Sequence, residues 1–165
     1  MRVGVVSDTH MPGAGSELPK RVIEGLTGVD LIIHAGDWTM PEVYEQFHSI
    51  APVEGVTGNV DSPKMSELLG TEKILNLNGY RIGVVHGHRG NGRTTPQRAR
   101  NTFRDEETDL IIFGHSHIPF DEVIDDVRVF NPGSPTDKRR QPRFSFAIMT
   151  LGETLEVEPI YFDKK

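Results

Sequence analysis

The chain has 165 residues, no cysteine, and 24 acidic against 18 basic side chains, for a formal net charge of −6 at pH 7; we expect residues 1–165 to form a single domain. The missing cysteines exclude disulfide scaffolds, thiolate zinc sites, iron–sulfur clusters and cysteine nucleophiles. The acidic excess disfavours nucleic acid as a partner, and no apolar run reaches the ~20 residues of a membrane span, so we expect a cytoplasmic protein that does not bind membranes.

The first part of the chain alternates strand and helix patterns. Short, β-branched apolar runs predict buried strands at Arg2–Val6, Leu31–His34 and Val53–Val56. We expect Ser16 to cap the helix after the first strand and Pro41 to begin the helix after the second. The first helix should turn one apolar face inward, made of Val22, Ile23 and Leu26. This alternation predicts parallel strands joined by right-handed crossovers.

The second part of the chain is richer in strands. Two further buried strands are predicted at Ile82–Val85 and Leu110–Phe113. Beyond residue 118, short strands are predicted at Val123–Ile124, Val127–Phe130, Phe144–Leu151 and Leu155–Ile160. The alternation of apolar and polar residues in the second and the fourth of these predicts half-exposed antiparallel sheet. An α/β fold with two packed sheets and helices outside accommodates both parts.

Polar residues beside glycine follow five of the predicted core strands. The five segments are Ser7–His10, His34–Asp37, Thr57–Asp61, His86–His88 and Gly114–His117. Ligands bind outside the carboxyl ends of parallel strands, so these segments should converge on one sheet edge. Imidazole suits zinc, iron, nickel and cobalt, while carboxylate and amide oxygens suit manganese and magnesium. Seven ligands exceed what one ion needs, and two ions that share a bridging carboxylate would use that many.

Taken singly, each segment also has a purely structural explanation. Gly-Asp after a strand usually forms a turn, and Gly-Asn is a favoured turn dipeptide. Five such segments at five strand ends are hard to explain as independent accidents. We therefore interpret them together as a metal site.

The ordered set resembles the signature of the calcineurin-like metallophosphoesterases. Chain size and the turn Asn131–Ser134 resemble the small YfcE/MJ0936-like phosphodiesterases of that superfamily. The resemblance spans residues 2 to about 150 and implies a four-layer α/β/β/α sandwich of two mixed β-sheets flanked by helices. It also implies which residues bind metal. The first ion would be held by Asp8, His10 and His117, the second by Asn59, His86 and His115, and both by Asp37.

The resemblance implies a metal-dependent phosphoesterase, in the first place a phosphodiesterase, which hydrolyses small phosphate esters by attack of a hydroxide that bridges two divalent ions. Manganese is the expected metal, with nickel, cobalt, iron, zinc and magnesium left open. The expected catalytic residues are Asp37, Asn59 and His88, and Arg89 is expected to bind substrate. The alternative is a non-catalytic, protein-binding scaffold of the same fold, as in the retromer subunit. Homo-oligomer formation stays open.

Several residues near the motifs have two interpretations. Larger phosphatases carry a general-acid histidine where this chain has Val60, so proton delivery would fall to His88 or water. Asp61 either orients a ligand or caps a turn, and His34 is expected to be a packed core histidine or to support a ligand. The basic stretches 89–104 and 138–143 are either solvated faces or a positive rim for phosphate substrates.

Overall fold

The computed structural model describes residues 1–163 and 165. In chain order its elements are β1 (Arg2–Val6), α1 (Lys20–Leu26), β2 (Leu31–His34), α2 (Pro41–His48), β3 (Val53–Gly55), α3 (Pro63–Leu69), β4 (Glu72–Leu77), β5 (Tyr80–Val85), α4 (Thr95–Thr102), β6 (Leu110–Ile112), β7 (Phe120–Ile124), β8 (Val127–Asn131), β9 (Phe144–Leu151) and β10 (Leu155–Phe162). No helix among the described residues is both long enough and apolar enough to cross a membrane.

The strands form two mixed sheets of five strands each. The first sheet has the order β10-β9-β1-β2-β3, and the second has the order β4-β5-β6-β8-β7. Strands β1, β2 and β3 are parallel, as the alternating pattern predicts, and β9 joins them antiparallel to β1. In the second sheet β5, β6 and β8 are parallel, with antiparallel strands at both edges. The predicted α/β fold of two mixed sheets is confirmed.

Three apolar clusters separate four layers. Between the sheets, Val3 and Val5 of β1 pack with Ile82 of β5 and Leu110 of β6. On the outer face of the first sheet, buried side chains of α1, α2 and α3 meet those of the strands: Val6, Val22, Leu26, Ile32, Phe47 and Met65. On the outer face of the second sheet, α4 packs through Ala99, followed by Phe103. Because side chains alternate across a strand, each sheet contributes to two of these clusters.

Helix α1 differs from its predicted form. It begins at Lys20 after Pro19, whose fixed φ already suits a helix start, and Ser16 does not cap it. Val22 and Leu26 are buried four residues apart on one face, whereas Ile23 is 42% exposed. A helix turns about 100° per residue, so Ile23 lies well off the face that Val22 and Leu26 share. The expected inward position of Ile23 is therefore wrong.

The sequence analysis did not predict three elements: β4, α3 and α4. Strand β4 lies at a sheet edge with its residues partly or fully exposed, so its sequence lacks a buried apolar run. Helix α3 begins with Pro63 after Ser62, which accepts the N–H of Met65. Helix α4 is rich in arginine and has few apolar residues to form a pattern. Its capping box of Thr94 and Gln97 is the feature from which its start could have been predicted. Strand β8 was predicted to be antiparallel. It is antiparallel to β7 but parallel to β6, and its alternating pattern does not show the parallel pairing.

Candidate metal centre

The polar segments after β1, β2, β3, β5 and β6 lie together at one end of the two sheets. Backbone hydrogen bonds join neighbouring segments, from Asp8 N to Gly36 O at 3.0 Å and from Gly114 N to His86 O at 3.0 Å. Five of the candidate ligands have left-handed backbone conformations, with φ from 48° to 69°: Asp8, His10, Asp37, His115 and His117. Such conformations cost on the order of 1 kcal/mol each and persist where the surroundings impose them, often at functional sites.

One group of candidate ligands consists of Asp8, His10 and His117. Asp8 and His117 are fully or almost fully buried, while His10 is partly exposed. Asp8 Oδ1 lies 3.5 Å from His117 Nε2 and 3.8 Å from His10 Nε2. One potential ligand atom of each of these three residues lies within 4.8 Å of those of the other two. The three side chains can therefore share one cation.

A second group consists of Asp37, His86 and His115, and it meets the same distance limit. Asp37 Oδ2 lies 3.1 Å from His86 Nε2 and also 3.3 Å from His10 Nε2, so this carboxylate lies between the two groups. Asn59 joins the second group, because its Oδ1 lies 3.1 Å from His115 Nδ1. The structure thus brings all seven sequence-derived candidates together, and their roles as ligands stay a prediction.

Several of the candidate ligand atoms are suited to bind cations because they are buried and have no hydrogen-bond partner. Four such atoms point into the cluster: Asp8 Oδ1, His10 Nε2, His86 Nε2 and His117 Nε2. The Nδ1 atom of His86 lies 2.8 Å from the carbonyl of Ala35, and that of His117 lies against the carbonyl of Asp137. A carbonyl only accepts, so each Nδ1 carries a proton and Nε2 is left as the ring atom that a cation would bind. Unpaired buried donors and acceptors are costly, and divalent cations would satisfy them.

The pKa shifts of His10 and Asp37 favour positive charge at this site. Burial by itself would lower the pKa of His10, but the carboxylates of Asp37 and Asp8 outweigh it and raise this pKa to about 9. Burial would likewise raise the pKa of Asp37, but His10 and His86 hold it far below its usual range. In the metal-free protein, protons on His10 and His86, whose pKa values are both raised, therefore neutralise the carboxylates, and bound cations would replace those protons.

Comparison with known proteins agrees with this geometry. The model of the calcineurin-like phosphoesterase superfamily domain matches residues 1–154. The chain belongs to the calcineurin-like phosphoesterase superfamily. This membership places it among metal-binding phosphoesterases, a class of hydrolases whose members use divalent metals.

Three similar proteins illustrate the superfamily. A probable metallophosphoesterase of Methanothermobacter thermautotrophicus is 36% identical over 160 residues, covering 97% of this chain and 92% of that protein. The phosphodiesterase MJ0936 of Methanocaldococcus jannaschii is 29% identical over 149 residues, covering 81% and 83%. A crystal structure of Vps29 complexed with zinc from Entamoeba histolytica shares the fold, with a TM-score of 0.78, 20% identity and coverage of 98% and 99%.

Two glycines of the calcineurin-like centre stand where no side chain fits. A Cβ on Gly58 would overlap Asp37 Oδ1 and lie 2.7 Å from His86 Cδ2. A Cβ on Gly114 would overlap Ser7 Oγ and lie 2.8 Å from Asp8 Oδ2. Both glycines therefore let the backbone approach the carboxylates closely.

Two hydroxyl residues that the sequence did not assign hold the loop of the first group. Ser134 donates to the carbonyl of Asp8 at 2.7 Å, and Thr136 donates to the carbonyl of Thr9 at 2.6 Å. In the same turn, Asn131 donates to the carbonyl of Gly114 at 3.0 Å. The segment Asn131–Thr136 thus ties the calcineurin-like loops after β1 and β6 together. The Asn-Pro-Gly-Ser turn was the only signal of this role in the sequence.

Asp61 orients the loop that carries Asp37. Its carboxylate accepts backbone N–H groups from Asp37 at 2.8 Å, Gly58 at 2.8 Å and Thr39 at 3.0 Å. Burial raises the pKa of Asp61, the N–H groups oppose this, and the charge of Asp37 adds to it. Of the two interpretations left open by the sequence, this geometry favours support of a candidate ligand.

We expect Asp61→Asn to weaken metal binding and lower kcat/KM by about 10–100-fold, the range typical of lost support around a metal site. The amide group would replace one accepting oxygen with a donor that faces backbone N–H groups. Metal titration and steady-state kinetics measure the effect, with the exposed Asp105→Asn as control. Equal metal affinity in Asp61→Asn and wild type would contradict the assigned role.

His34 is a packed core histidine rather than a member of the metal cluster. It is fully buried and stacks on Trp38 with ring centroids 3.7 Å apart. Its Nδ1 accepts the N–H of Gly36 at 3.1 Å, and its Nε2 lies 3.1 Å from Thr9 Oγ1. Both nitrogens of the neutral ring are therefore satisfied, and a second proton would break the bond to Gly36.

His34 should make the calcineurin-like fold sensitive to acid. Burial, then the neighbouring charge of His86, lowers its pKa well below the ordinary value of about 6.5. The unfolded chain binds this proton near pH 6.5 and the folded chain does not, so the contribution is complete above that pH and declines below it. Relative to His34→Gln, the wild-type free energy of unfolding should fall by up to about 1.4 kcal/mol per pH unit below pH 6.5.

Denaturant unfolding of metal-free protein between pH 5 and 8 measures this difference, with His48→Gln on the exposed face of α2 as the control histidine. A wild-type-minus-variant difference that does not change with pH would show that His34 does not titrate as described.

His88 and Arg89 lie at the edge of the calcineurin-like cluster. The ring of His88 is 5.4 Å from that of His86 and 6.2 Å from that of His115. Burial, then the charges of His86 and Arg89, lowers the pKa of His88 to about 4. His88 is therefore a neutral donor and acceptor at pH 7. Arg89 is exposed next to it.

The basic stretches do not form a continuous rim. Arg100 is buried and donates to the carbonyls of Ile124 and Asp125, and Arg104 pairs with the Asp125 carboxylate at 3.1 Å. Arg143 lies over the ring of Tyr161 at 4.5 Å. These arginines support local structure, whereas Arg89 remains exposed beside the cluster.

Proposed function

We propose that this protein is a binuclear metal-dependent phosphodiesterase. One observation carries the proposal: four buried, unpartnered atoms on Asp8, His10, His86 and His117 lie together, with those of His10 and His86 beside the carboxylate of Asp37 and that of His117 beside Asp8. The likeness to MJ0936, which is named a phosphodiesterase, supports the choice of a diester substrate. The mixture of imidazole, carboxylate and amide donors suits manganese, which we propose as the metal. The absence of cysteine suits a reducing cytoplasm, where we place its activity.

Each residue receives a role from its place in the cluster. The first ion would be held by Asp8, His10 and His117, and the second by Asn59, His86 and His115. Asp37 lies between the groups and would bind both ions. When bound, two divalent ions supply a water of lowered pKa and neutralise charge on the phosphoryl oxygens.

The remaining side chains of the site would position the ester. The neutral imidazole of His88 would hydrogen bond to the substrate beside the second group. Arg89, exposed next to it, would attract the anionic phosphate.

A metal-reconstituted assay tests the proposal. Protein loaded in turn with manganese, nickel, cobalt, iron, zinc or magnesium is offered an aryl phosphodiester and the matching monoester. We expect diester hydrolysis to be faster, with solvent oxygen incorporated into the phosphate. Absence of turnover with every metal, or labelled oxygen in the alcohol, would refute the mechanism.

Val60, the residue after Asn59, should make the rate of ester hydrolysis depend on the pKa of the leaving alcohol. Val60 cannot donate a proton, and its side chain is 42% exposed at the site. General acid catalysis is typically worth about 10²–10⁴-fold, so esters of poor leaving groups should be hydrolysed slowly. We expect log kcat/KM to fall steeply across diesters whose alcohols have increasing pKa. A flat relation would mean that another group supplies the proton.

The alternative function is a protein-binding scaffold, which the fold shared with Vps29 accommodates. Between α2 and α3 lies an apolar groove of about 330 Å³ lined by Tyr44, Met65 and Leu68, and Leu68 is 74% exposed. Such an exposed apolar surface is typical of interaction sites. The same reconstituted assay separates the functions, because a scaffold would bind metal without turning over any ester.

A further inference from the structure

A groove lined mainly by polar residues begins directly beside the candidate metal centre. It has a volume of about 340 Å³, at the lower end of the ~300–1,000 Å³ common for small-molecule sites. The loop after β5 forms one wall through His88, Arg89 and Asn91, and the start of β4 forms the other through Glu72. His88 therefore borders both the groove and the metal cluster, since its ring lies 5.4 Å from that of His86. A phosphate held at the cluster would have one of its ester groups next to this groove.

The lining selects against apolar and aromatic groups. Among the described residues that line it, Val85 is the only aliphatic side chain of any size, and His88 carries the only ring. A nucleobase or an aryl group gains most of its binding energy from stacking on aromatic side chains, and an acyl chain needs an apolar wall. For such groups the groove offers only the imidazole of His88 and the side chain of Val85.

The lining instead offers both hydrogen-bond donors and hydrogen-bond acceptors. Glu72 is exposed and its carboxylate makes no hydrogen bond or ion pair among the described residues, so this carboxylate is a free acceptor. Asn91 adds a carboxamide, and Arg89 adds an exposed guanidinium. An alcohol with several hydroxyl groups can donate to Glu72 and accept from Arg89. Glu72 and Arg89 are the charged side chains of the lining and their charges cancel, which favours a neutral polyol over a second phosphate.

We propose that this groove, which we name the Glu72 groove, binds a neutral polyol esterified to the phosphate, so that the preferred substrates are phosphodiesters of glycerol-like or sugar-like alcohols. This inference rests on the proposed phosphodiesterase function and names its substrate class. Charge-assisted hydrogen bonds to Glu72 would distinguish a polyol from an alkyl chain of equal length.

The test compares two monoesters that differ only in hydroxyl groups. Glycerol 1-phosphate and propyl phosphate are used as competitive inhibitors of aryl phosphodiester hydrolysis by the manganese-loaded protein, and calorimetric titration checks each inhibition constant. We expect glycerol 1-phosphate to bind at least about tenfold more tightly than propyl phosphate, as hydrogen bonds to a charged group allow. Glu72→Ala should bring the ratio of the two constants close to one, and Asn91→Ala should reduce it. Glu153→Ala, in the exposed turn between β9 and β10, serves as the matched control and should keep the wild-type ratio.

The outcomes separate the inference from the proposed function. Hydrolysis of the aryl diester with an inhibition ratio near one, or with a ratio that survives in Glu72→Ala, overturns the polyol assignment and leaves the phosphodiesterase standing. A complete lack of diester hydrolysis overturns the proposed function and this inference with it. A tenfold ratio that Glu72→Ala abolishes supports both.

Discussion

Asp37→Asn should lower kcat/KM for an aryl phosphodiester by at least about 10³-fold. The carboxylate lies between the two groups of candidate ligands, 3.3 Å from His10 Nε2 and 3.1 Å from His86 Nε2. An amide of the same size removes the negative charge that both ions would share. A single lost electrostatic contact at a reaction centre commonly costs about 10²–10³-fold, and Asp37 would serve two ions.

The measurement combines steady-state kinetics with the metal content of the dialysed protein. We expect about two ions per chain in wild type and at most one in Asp37→Asn. The exposed Asp105→Asn should retain both the activity and the metal. Two tightly bound ions and unchanged kinetics in Asp37→Asn would contradict the proposal that Asp37 binds both ions.

Gly58→Ala should have the second largest effect, although the change adds only one methyl group. That methyl would overlap Asp37 Oδ1 and press on the ring of His86 at 2.7 Å, so the carboxylate must move. We expect activity to fall by roughly 10²-fold, since displacements of about 1 Å at a reacting centre have effects of this size. Overpacking should also destabilise the fold by about 1–3 kcal/mol.

Gly152→Ala is the matched control, because a Cβ at Gly152 meets no atom within 4 Å. Kinetics, metal titration and thermal unfolding of both variants separate damage at the centre from general instability. If Gly58→Ala keeps wild-type activity, the close approach of this backbone to Asp37 has no functional importance.

The sequence predicted the strands that place the centre because they are buried on both faces. Arg2–Val6 and Leu31–His34 have the predicted bounds, and their apolar runs are uninterrupted. The polar segments after these strands could be predicted to converge because parallel strands carry their carboxyl ends to the same edge. Strand β4 could not be predicted in the same way, since an edge strand has few buried side chains to leave a pattern.

The supporting contacts of the centre are the part that the sequence did not reveal. Asp61 gathers three N–H groups from three separate positions, and Ser134 reaches the carbonyl of Asp8 from 126 residues away. Such hydrogen bonds depend on the path of each loop in space rather than on any local periodicity. Glu72 is similar, because only the pairing of β4 with β5 brings it beside the loop that carries His88.

The amino-acid sequence by itself determined the buried strands of an α/β fold and the set of residues at the strand ends, because burial imposes a readable apolar pattern and parallel pairing aligns the ends. The order of the four layers came from the resemblance to the family. Only the tertiary structure decided which imidazole nitrogens face the carboxylates, which glycines touch them, and where a groove opens beside them. Those features arise from distances of 2–4 Å between segments far apart in the chain, and no local pattern encodes such distances.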